Sequence, residues 1–162
     1  MEITEVKGPK TKKAFHRTAR KINRRNKNWI CPLDEEIDSI FNPVTNERFR
    51  NGAAKRWVLK AHGKLIGRIA AFIDFDQCNT KQVPTGGVGF FECINNQEAA
   101  NILFDTAKQW LFSRGMEAME GPVNFGENDN WWGLLVKGFE YRPVLGMPYH
   151  PPYYQDLFEH YG

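Results

Sequence analysis

The middle of the chain combines a tight β-hairpin with a strand–helix–strand unit, and this combination restricts the fold more than any other feature. Residues 55–62 and 65–75 carry strand-like apolar patterns on either side of a turn at His62-Gly63-Lys64, which predicts two antiparallel strands. A strand, a helix and a strand are predicted to follow, at residues 88–94, 97–114 and 116–125. Because a helix between two strands lets them run parallel, we predict an α/β (α+β) fold with a mixed sheet flanked by helices.

Length and composition fit a single globular domain over residues 1–162. The chain has 162 residues and 41% of them are hydrophobic, which is enough for one core. Residues 1–10 are predicted to be flexible, and residues 11–27 to form a basic amphipathic helix with a thin apolar side at Phe15, Ala19 and Ile22. Shorter helices are predicted at 34–41, 128–137 and 151–161.

The cysteines and the hydropathy pattern exclude several classes of protein. Cys31, Cys78 and Cys93 are odd in number and widely spaced, so we predict reduced thiols in a cytoplasm rather than a disulfide framework. No apolar run approaches the ~20 residues that span a bilayer, and we therefore expect no membrane partner. The spacing of residues predicts no metal site, and neither a Walker loop nor a GxSxG elbow is present.

Positive charge is concentrated near the N-terminus, and the remainder of the chain is acidic. The basic residues of this segment are Lys7, Lys10, Lys12, Lys13, Arg17, Arg20, Lys21, Arg24, Arg25 and Lys27. Such a segment is able to neutralise several phosphates of a nucleic acid. However, the aromatic residues elsewhere lack RNP-like spacing, and basic amphipathic helices are ordinarily solvated. Nucleic acid is therefore the least favoured partner.

The end of the chain carries a family resemblance. Residues 157–162, with the sequence LFEHYG, resemble part of the signature A-x-x-L-Y-E-K-x-G-F found near the end of GNAT-type acyl-CoA N-acyltransferases. Residues 63–71 resemble the hairpin of that family, and residues 88–94 with the helix after them resemble its cofactor-holding strand and helix. The runs GRIAAFID, GFFEC, GPVNF and GLLVKGF resemble a bacterial subgroup of undefined substrate, across residues 12–162. The resemblance implies a GNAT-like fold and transfer of an acyl group from acetyl-CoA or another acyl-CoA to a small amine.

The resemblance also implies a place for the cofactor. In the family, pantetheine pairs with the free edge of the strand, and its pyrophosphate lies at the N-terminus of the helix. The implied cofactor-binding residues are Phe91, Cys93, Asn95, Asn96, Gln97 and Asn124. The glycine-rich phosphate loop of the family is replaced here by CINNQEAA, which contains neither Gly nor Arg. The alternative is that Asn96 only caps an ordinary helix and that Glu98 complements its dipole.

Catalytic residues are predicted by position as well. Phe158 stands where the family has the Tyr that acts as general acid. Tyr154 lies one helical turn earlier on the same face, so Tyr154 is the predicted general acid. Glu92 on the strand is the predicted base, with a solvated polar residue as the alternative. The predicted substrate-binding residues are Trp131, Trp132 and His150. In an α/β layout, paired tryptophans more often seal the core, and that is the alternative for Trp131 and Trp132.

Two functions therefore remain open. One is an active N-acyltransferase, and the other is a catalytically silent GNAT-like domain that binds a ligand or takes part in an assembly. Phe158 and the glycine-free loop favour the second function. The sequence stops where the family's sheet gains two more strands, and from this we expect either a missing C-terminal part or a homodimer that completes the sheet.

Overall fold

The computed structural model describes residues 1–123, 125, 133–144 and 146–162, which form a five-stranded sheet with helices on both faces. The elements in chain order are β1 (Glu2–Glu5), α1 (Pro9–Asn23), α2 (Asp34–Ile40), a 3-10 helix (Glu47–Asn51), β2 (Gly52–Ala61), β3 (Lys64–Asp74), β4 (Thr85–Cys93), α3 (Gln97–Phe112), β5 (Ala118–Glu120) and α4 (Tyr154–Glu159). The predicted mixed sheet with flanking helices is confirmed.

The strands follow one another across the sheet in the order β1-β2-β3-β4-β5. The first three pairs are antiparallel, and β4 pairs with β5 in parallel across α3, as the strand–helix–strand pattern predicts. At the β2–β3 turn, His62 and Gly63 both have positive φ angles, of 49° and 72°. This is the conformation that a two-residue hairpin turn requires, and the predicted hairpin is confirmed.

Alternating side chains of the strands bury two separate cores. On one face, Trp57 and Leu59 of β2 pack with residues of α3 and α4. On the other face, Val58 packs with Phe15 of α1 and Ile37 of α2. Because neighbouring residues of a strand point to opposite faces, β2 contributes to both cores and fixes the sheet between the two helix layers.

Three sequence predictions differ from the structure. The prediction that residues 1–10 are flexible is wrong for the first part of that segment. Glu2–Glu5 pairs with β2, and Glu5 accepts a hydrogen bond from Lys55 at 3.1 Å. The strand predicted at residues 116–125 is only three residues long, because Pro122 has no N–H group to extend the ladder. The helix predicted at 128–137 is not formed at 133–137, and its earlier part lies outside the described residues.

A β-bulge in β4 shapes the sheet next to the candidate site. Arg68 of β3 pairs with Glu92, whereas Ala70 pairs with Gly89, so two residues of β4 lie opposite Ile69 alone. Phe90, one of those two residues, has a φ angle of 50°. β4 and β5 pair only as far as Gly87, so the two strands separate before β4 reaches Glu92. On the side of β5, the separation leaves the last residues of β4 with side-chain neighbours rather than a strand, while their other side stays paired with β3.

Candidate active site

Glu92 is a buried carboxylate near the end of β4, with 8% of its surface exposed. Its Oε2 atom accepts hydrogen bonds from the Tyr154 hydroxyl at 2.7 Å and from Asn23 Nδ2 at 2.9 Å. Its Oε1 atom lies 3.6 Å from the Arg68 guanidinium. Burial raises the pKa of Glu92, while Arg68 and the two hydrogen-bond donors oppose that rise. A carboxyl group with a raised pKa and a hydrogen-bonded partner is suited to proton transfer.

Tyr154 connects the last helix to this carboxylate. Its hydroxyl accepts a hydrogen bond from the Cys93 N–H at 3.0 Å and donates one to Glu92. Burial, with the Glu92 charge as the next cause, raises the pKa of Tyr154 well above its ordinary value of 10.0, so the phenol stays protonated. The neighbouring Tyr153 hydroxyl donates to the Cys93 carbonyl at 2.8 Å. Two tyrosines thus pair with the backbone of Cys93 where an adjacent strand would otherwise do so.

Arg68 supplies the positive charge of the cluster and is itself buried. Its Nη1 donates to the Phe15 carbonyl at 3.1 Å, and its guanidinium lies 4.5 Å from the centre of the Phe15 ring. These contacts fix the guanidinium between β3 and α1, with its charge directed toward Glu92. Because a buried ion needs a partner, Arg68 and Glu92 depend on each other.

A cavity of about 370 Å³ opens above this cluster. Glu92, Arg68 and Tyr154 contribute to its lining, together with two mainly apolar segments of the chain. The residues of those segments are Trp29, Ile30, Cys31, Pro32, Leu33, Pro143, Val144, Gly146, Met147, Pro148, Tyr149 and His150. The cavity is therefore apolar over most of its wall, with an acid, a phenol and a guanidinium at one place. This volume is within the range of small-molecule sites.

His150 supports the cavity wall in a fixed neutral form. Its ring stacks on Tyr154, with 4.9 Å between ring centres and 7° between planes. Its Nε2 accepts a hydrogen bond from the Leu135 N–H at 2.8 Å, and its Nδ1 lies 2.8 Å from the Pro151 carbonyl. Since a backbone N–H only donates and a carbonyl only accepts, Nδ1 carries the proton. Both ring nitrogens are engaged, so His150 shapes the cavity and is not placed to act as a base.

We expect the stability of the fold to fall on acidification because of His150. Burial lowers the pKa of His150 from 6.5, so the unfolded chain takes up the proton first, and the stabilisation present above pH 6.5 is lost as pH falls toward the lowered value. His150→Gln has no titrating ring. We therefore expect the melting temperature of the wild type, relative to that of His150→Gln, to fall between about pH 7.5 and about pH 5.5.

Thermal unfolding by circular dichroism at several pH values measures this difference. The matched control is His160→Gln, at an exposed position, whose melting temperature should follow that of the wild type at every pH. The buried His16 is common to all three proteins and cancels in the comparison. If the melting temperatures of the wild type and of His150→Gln change equally with pH, His150 is not a buried neutral residue whose pKa is lowered by folding.

The structure places the predicted site residues in two groups. Glu92, Tyr154, His150 and Phe91 all line the one cavity. Asn95, Asn96 and Gln97 do not, and they lie at the N-terminus of α3. The Asn96 side chain accepts from the Ala99 N–H at 2.8 Å, as a helix cap does. Gln97 Nε2 donates to Asn101 and to the Leu157 carbonyl, which ties α3 to α4. The predicted Asn124, Trp131 and Trp132 lie outside the described residues.

Two residues of the cluster, Arg68 and Asn23, were not predicted from the sequence. Arg68 interrupts an otherwise apolar buried strand, and that is a signal for a paired buried charge. Asn23 ends a basic helix and gave no comparable signal. Among the described residues, no group of three or more His, Cys, Asp or Glu side chains is arranged to hold a metal ion. Within the same residues, no helix combines the length and apolar character needed to cross a membrane.

Solved structures share the arrangement of this sheet and its helices. A protein of Clostridium acetobutylicum described as a "predicted acetyltransferase with acetyl-CoA" matches 83% of this chain and 96% of its own, with a TM-score of 0.54 and 14% identity. A "probable acetyltransferase" matches 78% of this chain and 81% of its own, with a TM-score of 0.52 and 12% identity. The chain has a GNAT-like acyltransferase fold.

Two relatives are closer to this GNAT-like chain in sequence. One, from Caulobacter vibrioides, is named bacterial ceramide synthase and is 31% identical over all of this chain. The other, protein YghO of Escherichia coli, is 33% identical over 83% of this chain. The chain spans 42% and 34% of the lengths of these two relatives. No family model matches the chain.

Proposed function

We propose that this GNAT-like domain transfers an acyl group to the amine of a molecule that also carries an apolar chain. The observation that carries the proposal is the buried Glu92–Tyr154 pair at the lining of an apolar cavity. An amine that reaches Glu92 must place the rest of its molecule against apolar walls, and a hydrocarbon chain suits those walls.

The surroundings of the two residues assign their roles. Glu92 is the base that removes a proton from the attacking amine, because Arg68 beside it favours the ionised carboxylate and opposes the rise in pKa that burial causes. Tyr154 stays protonated and is the acid of the pair. Asn23 and Arg68 hold the carboxylate in place and act as positioning residues.

The donor site is supported less directly than the amine site. A neighbour of the same fold is described with acetyl-CoA, which makes an acyl-CoA the first donor to test. In this chain, however, the Cys93 backbone that would pair with pantetheine is already hydrogen-bonded to the hydroxyls of Tyr153 and Tyr154. Glu98, and no basic residue, lies in the first turn of α3. The described residues therefore fit acyl-CoA only in part.

The name of one relative supports an apolar amine. A ceramide is the amide of a fatty acid and a long-chain amino alcohol, so the Caulobacter vibrioides relative is named for the formation of an N-acyl bond on such an amine. The alternative is a catalytically silent GNAT-like domain that binds a ligand. The hydrogen bonds that Tyr153 and Tyr154 make to Cys93 favour this alternative, because they cover the strand edge at which the family resemblance places the donor.

The test compares two amines with one head group. The chain is incubated with acetyl-CoA or palmitoyl-CoA and either a long-chain 2-amino alcohol or ethanolamine, and thiol release and amide mass are measured. We expect the amide to form from the long-chain amine at a rate at least about tenfold above that from ethanolamine, because the apolar cavity wall binds the hydrocarbon chain. Thermal stabilisation by the long-chain amine without product would identify a silent binding domain. Neither product nor stabilisation would refute the proposal.

A further inference from the structure

The mouth of the cavity is bordered by large apolar side chains that face solvent. Ile30, Leu33, Val144 and Met147 all line the cavity, yet between 53% and 72% of the surface of each is exposed. We call these four residues the apolar rim. Single exposed apolar residues are ordinary, but four around one opening form a patch of the kind that marks an interaction surface.

The two segments that carry the apolar rim are joined to each other. Asn28 Nδ2 donates to the Phe139 carbonyl at 3.0 Å, and the Tyr149 hydroxyl also donates to that carbonyl. Val136 and Tyr141, which precede the second segment in sequence, are 56% and 68% exposed. They add exposed apolar surface close in sequence to the rim, including a tyrosine, a residue suited to the boundary between apolar and aqueous surroundings.

Exposed cations lie close in sequence to both groups of rim residues. Arg24, Arg25 and Lys27 precede Ile30, and Lys137 and Arg142 precede Val144. The exposed acidic residues of the same stretches, 24–36 and 136–147, are Glu35, Glu36 and Glu140, so the cations are in excess. Among the described residues, no carboxylate pairs with Arg24, Arg25 or Lys27, and these positions continue the basic surface of α1. The charge is thus available to an anionic partner.

We propose that the apolar rim docks on an anionic lipid bilayer, with the rim in the headgroup region and the neighbouring cations against lipid phosphates. Exposed aliphatic side chains beside unpaired cations fit a lipid surface, whereas a nucleic acid offers nothing for the aliphatic side chains to contact. Docking of this kind needs no spanning helix, and the expectation of no membrane partner considered spanning segments alone. The inference rests on the proposed function only for what enters the cavity, which is an amphiphile supplied by the bilayer.

Vesicle flotation without any acyl donor tests the docking by itself. The purified chain is mixed with vesicles of phosphatidylcholine, alone or with phosphatidylglycerol, and the bound fraction is measured at several salt concentrations. We expect binding to the vesicles that contain phosphatidylglycerol, with a loss of about fivefold in partition for each cation removed in Arg24→Gln and Arg25→Gln. The matched control, Lys64→Gln at the β2–β3 turn, should bind like the wild type.

The double variant Ile30→Ser/Val144→Ser tests the apolar part. We expect its partition to fall at least about tenfold, while Val83→Ser, an exposed apolar residue on another loop, leaves partition unchanged. Thermal unfolding of each variant checks that the fold is retained. No binding of the wild type to anionic vesicles overturns the proposal. So does a dimer of the wild type that the rim variant converts to monomers, because the rim is then a protein interface. Docking without acyl transfer refutes only the proposed function.

Discussion

Glu92→Gln is expected to lower the rate of acyl transfer about a hundred- to ten-thousand-fold, the range in which a positioned general base contributes. The amide has nearly the same shape and still accepts from Tyr154 or Asn23, but it cannot take a proton from the amine. Product formation with the long-chain amine measures the loss. The matched control is Glu2→Gln, at an exposed position of β1 on the opposite edge of the sheet, which should keep the wild-type rate.

The pH profile separates a role in proton transfer from a structural one. Because the pKa of Glu92 is raised above 4.5, the wild-type rate should rise with pH through a limb above that value as the carboxyl group ionises. The residual activity of Glu92→Gln should lack this limb. A variant that transfers acyl groups at the wild-type rate, with the limb intact, would contradict the role assigned to Glu92.

Arg68→Met is expected to destabilise the fold by about 3–5 kcal/mol, because it leaves the buried Glu92 carboxylate without its cation. Met has a similar length and fills most of the space beside Phe15, so the loss comes mainly from the charge. Urea unfolding at neutral pH measures the change in free energy. The control is Arg50→Met, at a largely exposed ion pair, for which a change below about 1 kcal/mol is expected.

A double variant shows whether the destabilisation comes from the unpaired carboxylate. In Arg68→Met/Glu92→Leu both charges are replaced by apolar side chains, and we expect this protein to be more stable than Arg68→Met alone. If Arg68→Met costs less than about 1 kcal/mol, or if the double variant is less stable than the single one, the two residues are not an interdependent buried pair.

The sequence predicts the framework well because local patterns determine it. The hairpin and the parallel β4–β5 pair follow from alternation, a short turn and an intervening helix. β1 escaped prediction because its four residues contain a single apolar side chain, Ile3, and the strand is stabilised mainly by pairing with β2. A pairing between distant segments leaves little trace in such a short stretch.

Only part of the candidate site is predicted from the sequence, because its other contacts also join distant segments. Glu92 and Tyr154 were predicted from the family resemblance, and the structure brings them within hydrogen-bond distance, while their chemical roles stay predictions. Asn23 reaches Glu92 only because α1 packs across β3 and β4, and no spacing in the sequence encodes that contact. Arg68 lies opposite Glu92 because of the register between β3 and β4, which the bulge in β4 sets. The hydrogen bonds between the two tyrosines and Cys93 could not be predicted from the sequence either, because they join residues about 60 positions apart.

Those tyrosine bonds make the edge of β4 an exchangeable surface. A pantetheine-like arm that paired with Cys93 would have to displace the hydroxyls of Tyr153 and Tyr154, and would supply an amide carbonyl for the Cys93 N–H and an amide N–H for the Cys93 carbonyl. The Tyr154 oxygen would then lose the Cys93 N–H but remain beside Glu92. Occupation of the donor edge would then be sensed directly by the acid–base pair, through a single phenol oxygen.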